Sequence, residues 1–434
     1  MQLPAVVAVA ERSCTPAKAR PETWPDRSRI HELTVADLPV RGWGSQASPT
    51  SVDGVITEKR TRTPVLVGGN IADQVAQALM LIEVRGCLAD ATGRERGSVL
   101  ALDRVSETAL TPQRGGDVLV VTANAESPGT RALIGEAARL AASIQGLVTA
   151  VTPEAESPLL GRWGADQQIV LAVDDPEPTA QALAHGFIGR PPWAILGGPG
   201  AWEREVLGRL AIRLHAGLMS DLVSIDVETE EWGHPRLVGL KPSGDGSTAR
   251  ILSRGATQIA TVRTGNLPLR RLRAGGAEWS RTTLTVARNP RIQRGKRVRE
   301  PVVDALERAD VVIGVGRGVD SGDYPLLEPL LSLLGAELAA TRKVTDLGWQ
   351  PHGRQVGITA RSISPCLYLA LGISGSANHL VGAGRADTIL AVNSDPTAEI
   401  FSRCDIGIVA DWREVVPRLV HGLARAMGLQ PSPQ

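Results

Sequence analysis

At 434 residues the chain is about two to three times the size of a typical domain, so more than one hydrophobic core is expected. Apolar residues at 43% against 21% charged exclude global disorder, and a formal net charge of +1 excludes a polyanion binder driven by overall charge. Its apolar runs are strand-sized, short of the roughly 20 residues that cross a bilayer, and no basic stretch precedes the run at 3–10, so a cytoplasmic protein without membrane insertion is expected.

Residues 1–115 form an extension of open role. Proline, glycine and arginine are frequent up to about Thr63, after which PVLVGG (64–69) reads as a strand and ADQVAQALMLIEV (72–84) as a packed amphipathic helix. From Asp117 the period changes. DVLVVTA is a strand, and residues 130–144 put Leu133, Ile134, Ala137, Leu140, Ala141 and Ile144 on one helical face. GLVTAVT (146–152), QQIVLAVDD (167–175), TAQALAHGFI (179–188) and PWAILGG (192–198) continue the alternation of strand and helix that marks a parallel sheet covered by helices. A helix over 201–215, then strands at SDLVSIDVE (220–228) and TQIATVRTG (257–265), complete an α/β domain over residues 116–288. Residues 289–300 read as a basic linker, with Arg291, Arg294, Lys296, Arg297 and Arg299 crowded together. No aromatic residues interleave to stack bases, so a solvated hinge is expected and no nucleic-acid partner.

The last domain, residues 301–428, is a series of strands that each deliver a loop of glycines and small polar residues. ADVVIGVGRGVDSGD (309–323) gives a strand over 310–315, after which Gly316 and Gly318 flank Arg317. Such a turn brings a guanidinium and backbone amides to a phosphate, or simply turns the chain beneath a solvated arginine. Pro325 and Pro329 delay the next helix to about 328–334. ELAAT (337–341) ends on Thr341 with Arg342 next, a hydroxyl beside a cation, and QVGITAR (355–361) follows. LYLALGISGSANHL (367–380) is a buried strand delivering Ser374, Gly375 and Ser376 to the start of a helix that carries Ala377, Asn378 and His379. AVNSDP (391–396) and GIVADW (407–412) set Asn393 and Asp411 at neighbouring strand tips, where an amide and a carboxylate bind ribose hydroxyls, cap the next helix, or do both.

In order and spacing these loops resemble the flavin-binding domain of the electron transfer flavoprotein alpha subunit, and residues 116–288 resemble the family's first domain in layout, best at AILGGPG, HAGLMSDLVSIDVE and ILSRGATQIATVRTG. The resemblance implies an α/β fold of two Rossmann-like parallel-sheet domains, the C-terminal one a deoxyhypusine-synthase-like FAD-binding domain. It implies that Arg317 contacts FAD, that Thr341 stands where the family has serine bonding the flavin ring, and that Arg342 lies against that ring. A fixed cation there favours negative charge on the ring and raises its reduction potential, whereas alone it reads as one half of a surface ion pair. Val356, Gly357, Ile358 and Thr359 are implied to line the cofactor, Ser374 to Asn378 to form its wall, and His379 to meet the flavin's pyrimidine edge. The chain departs from the family at Ile358 (glutamine), Ala360 (glycine), Asn378 (glutamine) and Trp412, which replaces the leucine after the family's aspartate.

By resemblance the protein is expected to be an electron carrier that transforms no substrate. It would pair with an electron transfer flavoprotein beta subunit, take electrons from flavin-dependent dehydrogenases and pass them to a membrane quinone oxidoreductase. It is similar to divergent bacterial members of the kind found beside mycofactocin-type redox-peptide systems. The four cysteines, at 14, 87, 366 and 404, form no C-x-x-C pair, and the seven histidines form no metal-binding pattern, so no metal site is expected. No G-x-S-x-G or Walker-type motif occurs, which removes hydrolysis and phosphoryl transfer. A cofactor-free scaffold derived from the same fold is the alternative, supported by the substitutions at Ile358, Asn378 and Trp412. An NAD-dependent enzyme of the same architecture lacks a visible substrate-activating base.

Overall fold

The computed structural model describes residues 21–34, 37, 47–56, 62–87, 116–153, 157–172, 175–229, 234–243, 247–270, 272, 280–285, 288, 305–306 and 308–428. The expected basic linker over 289–300 lies outside them. Two compact units divide the chain, Met1–Ser48 and Pro49–Gln434. In the first, 3-10 turns at Pro21–Thr23 and Arg27–Arg29 are described, the second opened by Asp26, whose side chain accepts the Ser28 N–H.

The second unit begins with β1 (Thr50–Ile56), β2 (Val65–Leu66) and α1 (Ile71–Val84). It continues through β3 (Val118–Val121), α2 (Pro128–Ile144), β4 (Val148–Thr152), α3 (Leu159–Trp163), β5 (Gln167–Leu171), α4 (Pro176–Gly186), β6 (Ala194–Gly197), α5 (Ala201–Arg213), β7 (Leu218–Leu222), β8 (Ser224–Thr229), β9 (Pro235–Pro242), β10 (Thr248–Ser253), β11 (Gln258–Val262) and β12 (Ser280–Leu284). The last part holds β13 (Val311–Val315), α6 (Glu328–Leu334), β14 (Glu337–Ala340), α7 (Arg342–Asp346), β15 (Leu367–Leu371), α8 (Ala377–Ala383), β16 (Thr388–Asn393), β17 (Ile406–Val409) and α9 (Trp412–Ala426).

Two parallel sheets organise these elements, one in the order β12-β5-β4-β3-β6-β11-β7 and the other β14-β13-β15-β16-β17-β2. The fold is therefore α/β with two Rossmann-like sheets. Strands such as VLVV (β3), VVIGV (β13) and LYLAL (β15) are buried at every position, because helices or loops cover both faces of a parallel sheet and leave no face for polar side chains. A separate apolar cluster packs against each face of each sheet. All strands of a parallel sheet finish on the same edge, and that edge positions the site. The helix expected near 328–334 is α6, entered through a 3-10 stretch that carries Pro325.

Three features differ from the sequence reading. The single strand expected over 220–228 is two strands, β7 in the first parallel sheet and β8 in an antiparallel sheet ordered β1-β10-β9-β8. The break lies at Val223, two residues past Asp221, whose left-handed φ of 68° accompanies a register shift near the end of β7 and whose backbone N lies 2.9 Å from the Thr261 hydroxyl. That antiparallel sheet is the second difference, since its strands β9 and β10 carry no clean alternation in the sequence. The third is where the extension goes: β1 pairs with β10, β2 adds a parallel edge to β17, and α1 packs on α9. Asn70 and Asp73 form a capping box at the start of α1, which buries Val75, Ala78 and Ile82 at helical spacing. Arg62 fastens the same segment, meeting the carboxylate of Asp405 and the carbonyls of Gly384 (2.9 Å) and Ala386 (2.5 Å).

Candidate functional site

The carboxyl ends of β13 to β17 bring most of the expected residues to one edge. After β13, Arg317 is exposed while its neighbour Gly316 is buried. A Cβ on Gly316 would lie 2.0 Å from the Gly372 carbonyl oxygen, so the turns after β13 and β15 pass in backbone contact that only glycine permits. Thr341 caps α7 without a side-chain bond, and Arg342, the first residue of that helix, is exposed with its Nε 3.3 Å from Asp346 Oδ2. Ser374, Ser376 and Asn378 are exposed, Gly375 is buried, and Ala377 begins α8, for which Ser376 makes no side-chain cap bond.

Asn393 and Asp411 are committed to the protein itself. The Asn393 amide donates to Ile373 O (3.0 Å) and accepts from Asp395 N (2.9 Å), while Asp411 caps α9 by accepting the Arg413 N–H at 2.9 Å. Trp412 is buried and donates its indole N–H to Gly318 O at 3.0 Å, tying the start of the last helix to the glycine turn that carries Arg317.

Residues 355–361 cross this edge. Val356 and Gly357 are buried and Ile358 is half-buried. Thr359 is exposed, its hydroxyl accepting from Gln355 Nε2 (3.0 Å), and Gln355 in turn accepts from the Thr345 hydroxyl at 2.8 Å. Gln355 is almost fully buried, and nothing in the spacing of QVGITAR marks it as the member that anchors the threonine.

His379 is 5% exposed, with both ring nitrogens engaged inside the protein. Nδ1 lies 3.1 Å from the carbonyl of Val356, which can only accept, so Nδ1 carries the proton and Nε2 accepts the hydroxyl of Tyr368 at 2.8 Å. Burial pushes the His379 pKa down to about 4 against a smaller opposing pull from the Val356 carbonyl, and burial raises the Tyr368 hydroxyl above its ordinary value. The imidazole is thus neutral at physiological pH and braces the loop through Val356. Tyr368, one of two tyrosines in the chain, is invisible in the sequence as anything but a strand residue.

What remains at the edge is an exposed set of donors: the guanidinium groups of Arg317 and Arg342, the hydroxyls of Thr359, Ser374 and Ser376, and the Asn378 amide. Cations with small hydroxyl and amide donors fit a pyrophosphate-linked dinucleotide with an electron-rich ring. Among the described residues no group of three or more histidine, cysteine or acidic side chains could hold a metal ion, and no helix is long and apolar enough to cross a membrane. A cavity of about 680 Å³ lies elsewhere, at the carboxyl ends of β3, β6 and β11, and its lining shares only Thr359 with the expected set. There Ser127 caps α2 by accepting from Thr130 N at 3.0 Å, and Glu203 of α5 accepts from Ala123 N, in the loop after β3, at 2.8 Å.

Residues 118–287 match the family described as the electron transfer flavoprotein domain, and residues 305–384 match the electron transfer flavoprotein FAD-binding domain. The electron transfer flavoprotein subunit alpha of Mycobacterium leprae is 32% identical over 346 residues, which span 76% of this chain and 96% of that protein. The subunit of the same name from Mycobacterium tuberculosis strain H37Rv is 33% identical over 332 residues, again 76% and 96%. That of Syntrophomonas wolfei is 29% identical over 336 residues, spanning 72% of this chain and 97% of its own length.

Proposed function

Since this chain belongs to the electron transfer flavoprotein alpha-subunit family and carries its FAD-binding domain, we propose that it works as the larger half of a heterodimeric carrier, pairing with a beta subunit. It takes electrons from flavin-dependent dehydrogenases, passes them to a respiratory-chain acceptor through a membrane quinone oxidoreductase, and transforms no substrate itself. In this reading residues 116–288 are the first domain, 289–300 a hinge, 301–428 the cofactor domain and 1–115 an appended segment. The observation that carries it is the row of exposed cations and hydroxyls along one edge of the second sheet, within and beside the matched segment 305–384.

FAD, when bound, supplies the redox chemistry. Arg317, with the backbone of its glycine turn, holds the pyrophosphate, and Ser374 and Ser376 donate beside it. Arg342 lies against the ring and makes electron uptake more favourable by offsetting the negative charge that uptake brings. Val356 to Thr359 form the adjoining wall, where the Thr359 hydroxyl, held by Gln355, is free to donate. Ala377 and Asn378 close the other side, Asn393 and Asp411 support the adenosine end while shaping their own turns, and Trp412 fixes the Arg317 turn from behind. His379 holds the wall through Val356, and its neutral ring adds no charge near the flavin.

The test is to co-express the chain with a beta subunit and record the visible spectrum of the purified complex, then to mix it with a reduced flavin-dependent dehydrogenase. Flavin bands that bleach on mixing and recover with a quinone oxidoreductase are the expected result. A complex that stays colourless after reconstitution with FAD overturns the reading.

A further inference from the structure

One cation from the first sheet reaches into the cofactor loop of the second. Arg263 follows β11, is 5% exposed, and lies in the turn that opens the 3-10 stretch Thr264–Asn266. Its Nη1 donates to Gly357 O at 3.2 Å and its Nη2 to Ile358 O. Asp221 orients it from the other side, with Oδ2 2.5 Å from Nη2, and has a left-handed backbone one residue before β7 ends at Leu222. Gly265, two residues on, brings the same turn against the loop: a Cβ there would sit 2.0 Å from the Ser362 carbonyl oxygen.

The loop's backbone bonds single out what Arg263 does. Val356 N–H goes to Ala340 O and Val356 O accepts from His379. Gly357 N–H goes to Arg361 O (3.0 Å) and Ile358 N–H to Asn378 O (2.7 Å). Every donor of the three residues and the first acceptor are therefore met within the second sheet's own domain. Gly357 O also accepts the Ala360 N–H at 3.1 Å within that domain and takes Arg263 Nη1 as a second donor, while Ile358 O is met by Arg263 from the first. Burying a guanidinium is costly unless carbonyls and a carboxylate surround it, and this one has both.

We infer that Arg263 is a positioning residue that latches the Val356–Ile358 segment across the seam between the two parallel-sheet domains, so that the shape of the flavin wall depends on where the first domain sits. The inference rests on the reading of Val356 to Thr359 as flavin-facing. Withdrawal of the first domain removes both guanidinium donors at once, leaving Ile358 O without its donor and Gly357 O with the Ala360 N–H alone. No other described side chain offers a donor to either carbonyl. A lysine cannot replace the latch, since its point charge lacks the planar fork that spans two carbonyls.

Two measurements test this. Hydrogen exchange on the full chain without added flavin, for wild type, Arg263→Lys and Arg263→Gln, is expected to show the amides of Gly357 and Ile358 exchanging about tenfold faster in both variants, with the β13 and β15 amides unchanged. Unchanged protection at Gly357 and Ile358 overturns the latch, and Asp221→Asn, which keeps the arginine but frees its fork, serves where an Arg263 variant does not fold. The reconstituted complex is then compared by flavin absorbance and reduction midpoint. A shifted midpoint with FAD still bound supports the coupling. Faster exchange with an unshifted midpoint overturns the claim that the latch shapes the flavin wall, and an absence of flavin in the wild-type complex as well points instead to failure of the underlying assignment.

Discussion

His379 sits neutral between Tyr368 and Val356, and its burial has a measurable price in acid. Its folded pKa of about 4 lies below the unfolded value of 6.5, so the unfolded chain binds the proton first as pH falls. Stability is complete above the unfolded value and declines between pH 6.5 and about 4, by on the order of 3 kcal/mol across that window. Denaturant unfolding at several pH values checks this, and His379→Gln is expected to flatten the slope. Arg342 acts on charge instead. It is 59% exposed and shares an i,i+4 pair with Asp346, so solvent screens much of its field. Arg342→Ala is expected to lower the flavin's two-electron potential by about 20 mV, equivalent to roughly 1 kcal/mol, with FAD retained. Spectroelectrochemistry reads the shift, and an unchanged potential removes Arg342 from that role. Ile358 replaces the family's glutamine, yet the bonds recorded at this position are made by its backbone, which any residue supplies.

At the scale of elements, the segment that carries β2 and α1 behaves as part of the second sheet. Its helix buries three residues and leaves Met80 and Val84 exposed, and a Cβ on Gly422 of α9 would meet the Leu79 side chain at 2.3 Å, which marks how closely the two helices approach. Arg62 is the fastening, 12% exposed against 7% for Asp405, with Arg85 as a second cation 3.3 Å from the same carboxylate. Removing one member of a buried pair leaves the other charge uncompensated. Arg62→Ala is expected to destabilise the second sheet by about 3 kcal/mol, moderated by Arg85, and Asp405→Asn to cost less because Arg62 keeps the carbonyls of Gly384 and Ala386 as acceptors. Thermal unfolding of both variants makes the comparison. The split of residues 220–228 into β7 and β8 is also an element-level matter: a run that is strand-like throughout divides at Val223, just past the left-handed Asp221, into a junction between two sheets.

For the whole molecule, the extension divides at the boundary between units. Pro49 onward includes β1, paired to β10, and β2 with α1, paired and packed on the second sheet. A chain of residues 49–434 is expected to unfold with the same midpoint as the full protein. A chain of residues 88–434 loses an edge strand from two sheets and the buried face of α1, and is expected to melt earlier and to exchange faster along β17. Equal midpoints for the two truncations would show that residues 49–87 add nothing to the fold.

The sequence alone carried the period changes of the parallel strands, the proline-delayed helix at 328–334 and the series of strand-end loops, because each depends on local chemistry: burial on both faces, a fixed φ, a turn that needs glycine. The family likeness followed from the order of those loops. Tertiary structure decided the rest. That residues 220–228 divide between two sheets, that β1 and β2 join two different sheets, that His379 is braced by Tyr368, and that Arg263 donates to two carbonyls of the cofactor loop are all facts about residues distant in sequence. Such pairings arise only when the folded chain brings buried donors and acceptors together, and no spacing along the chain encodes which of them will meet.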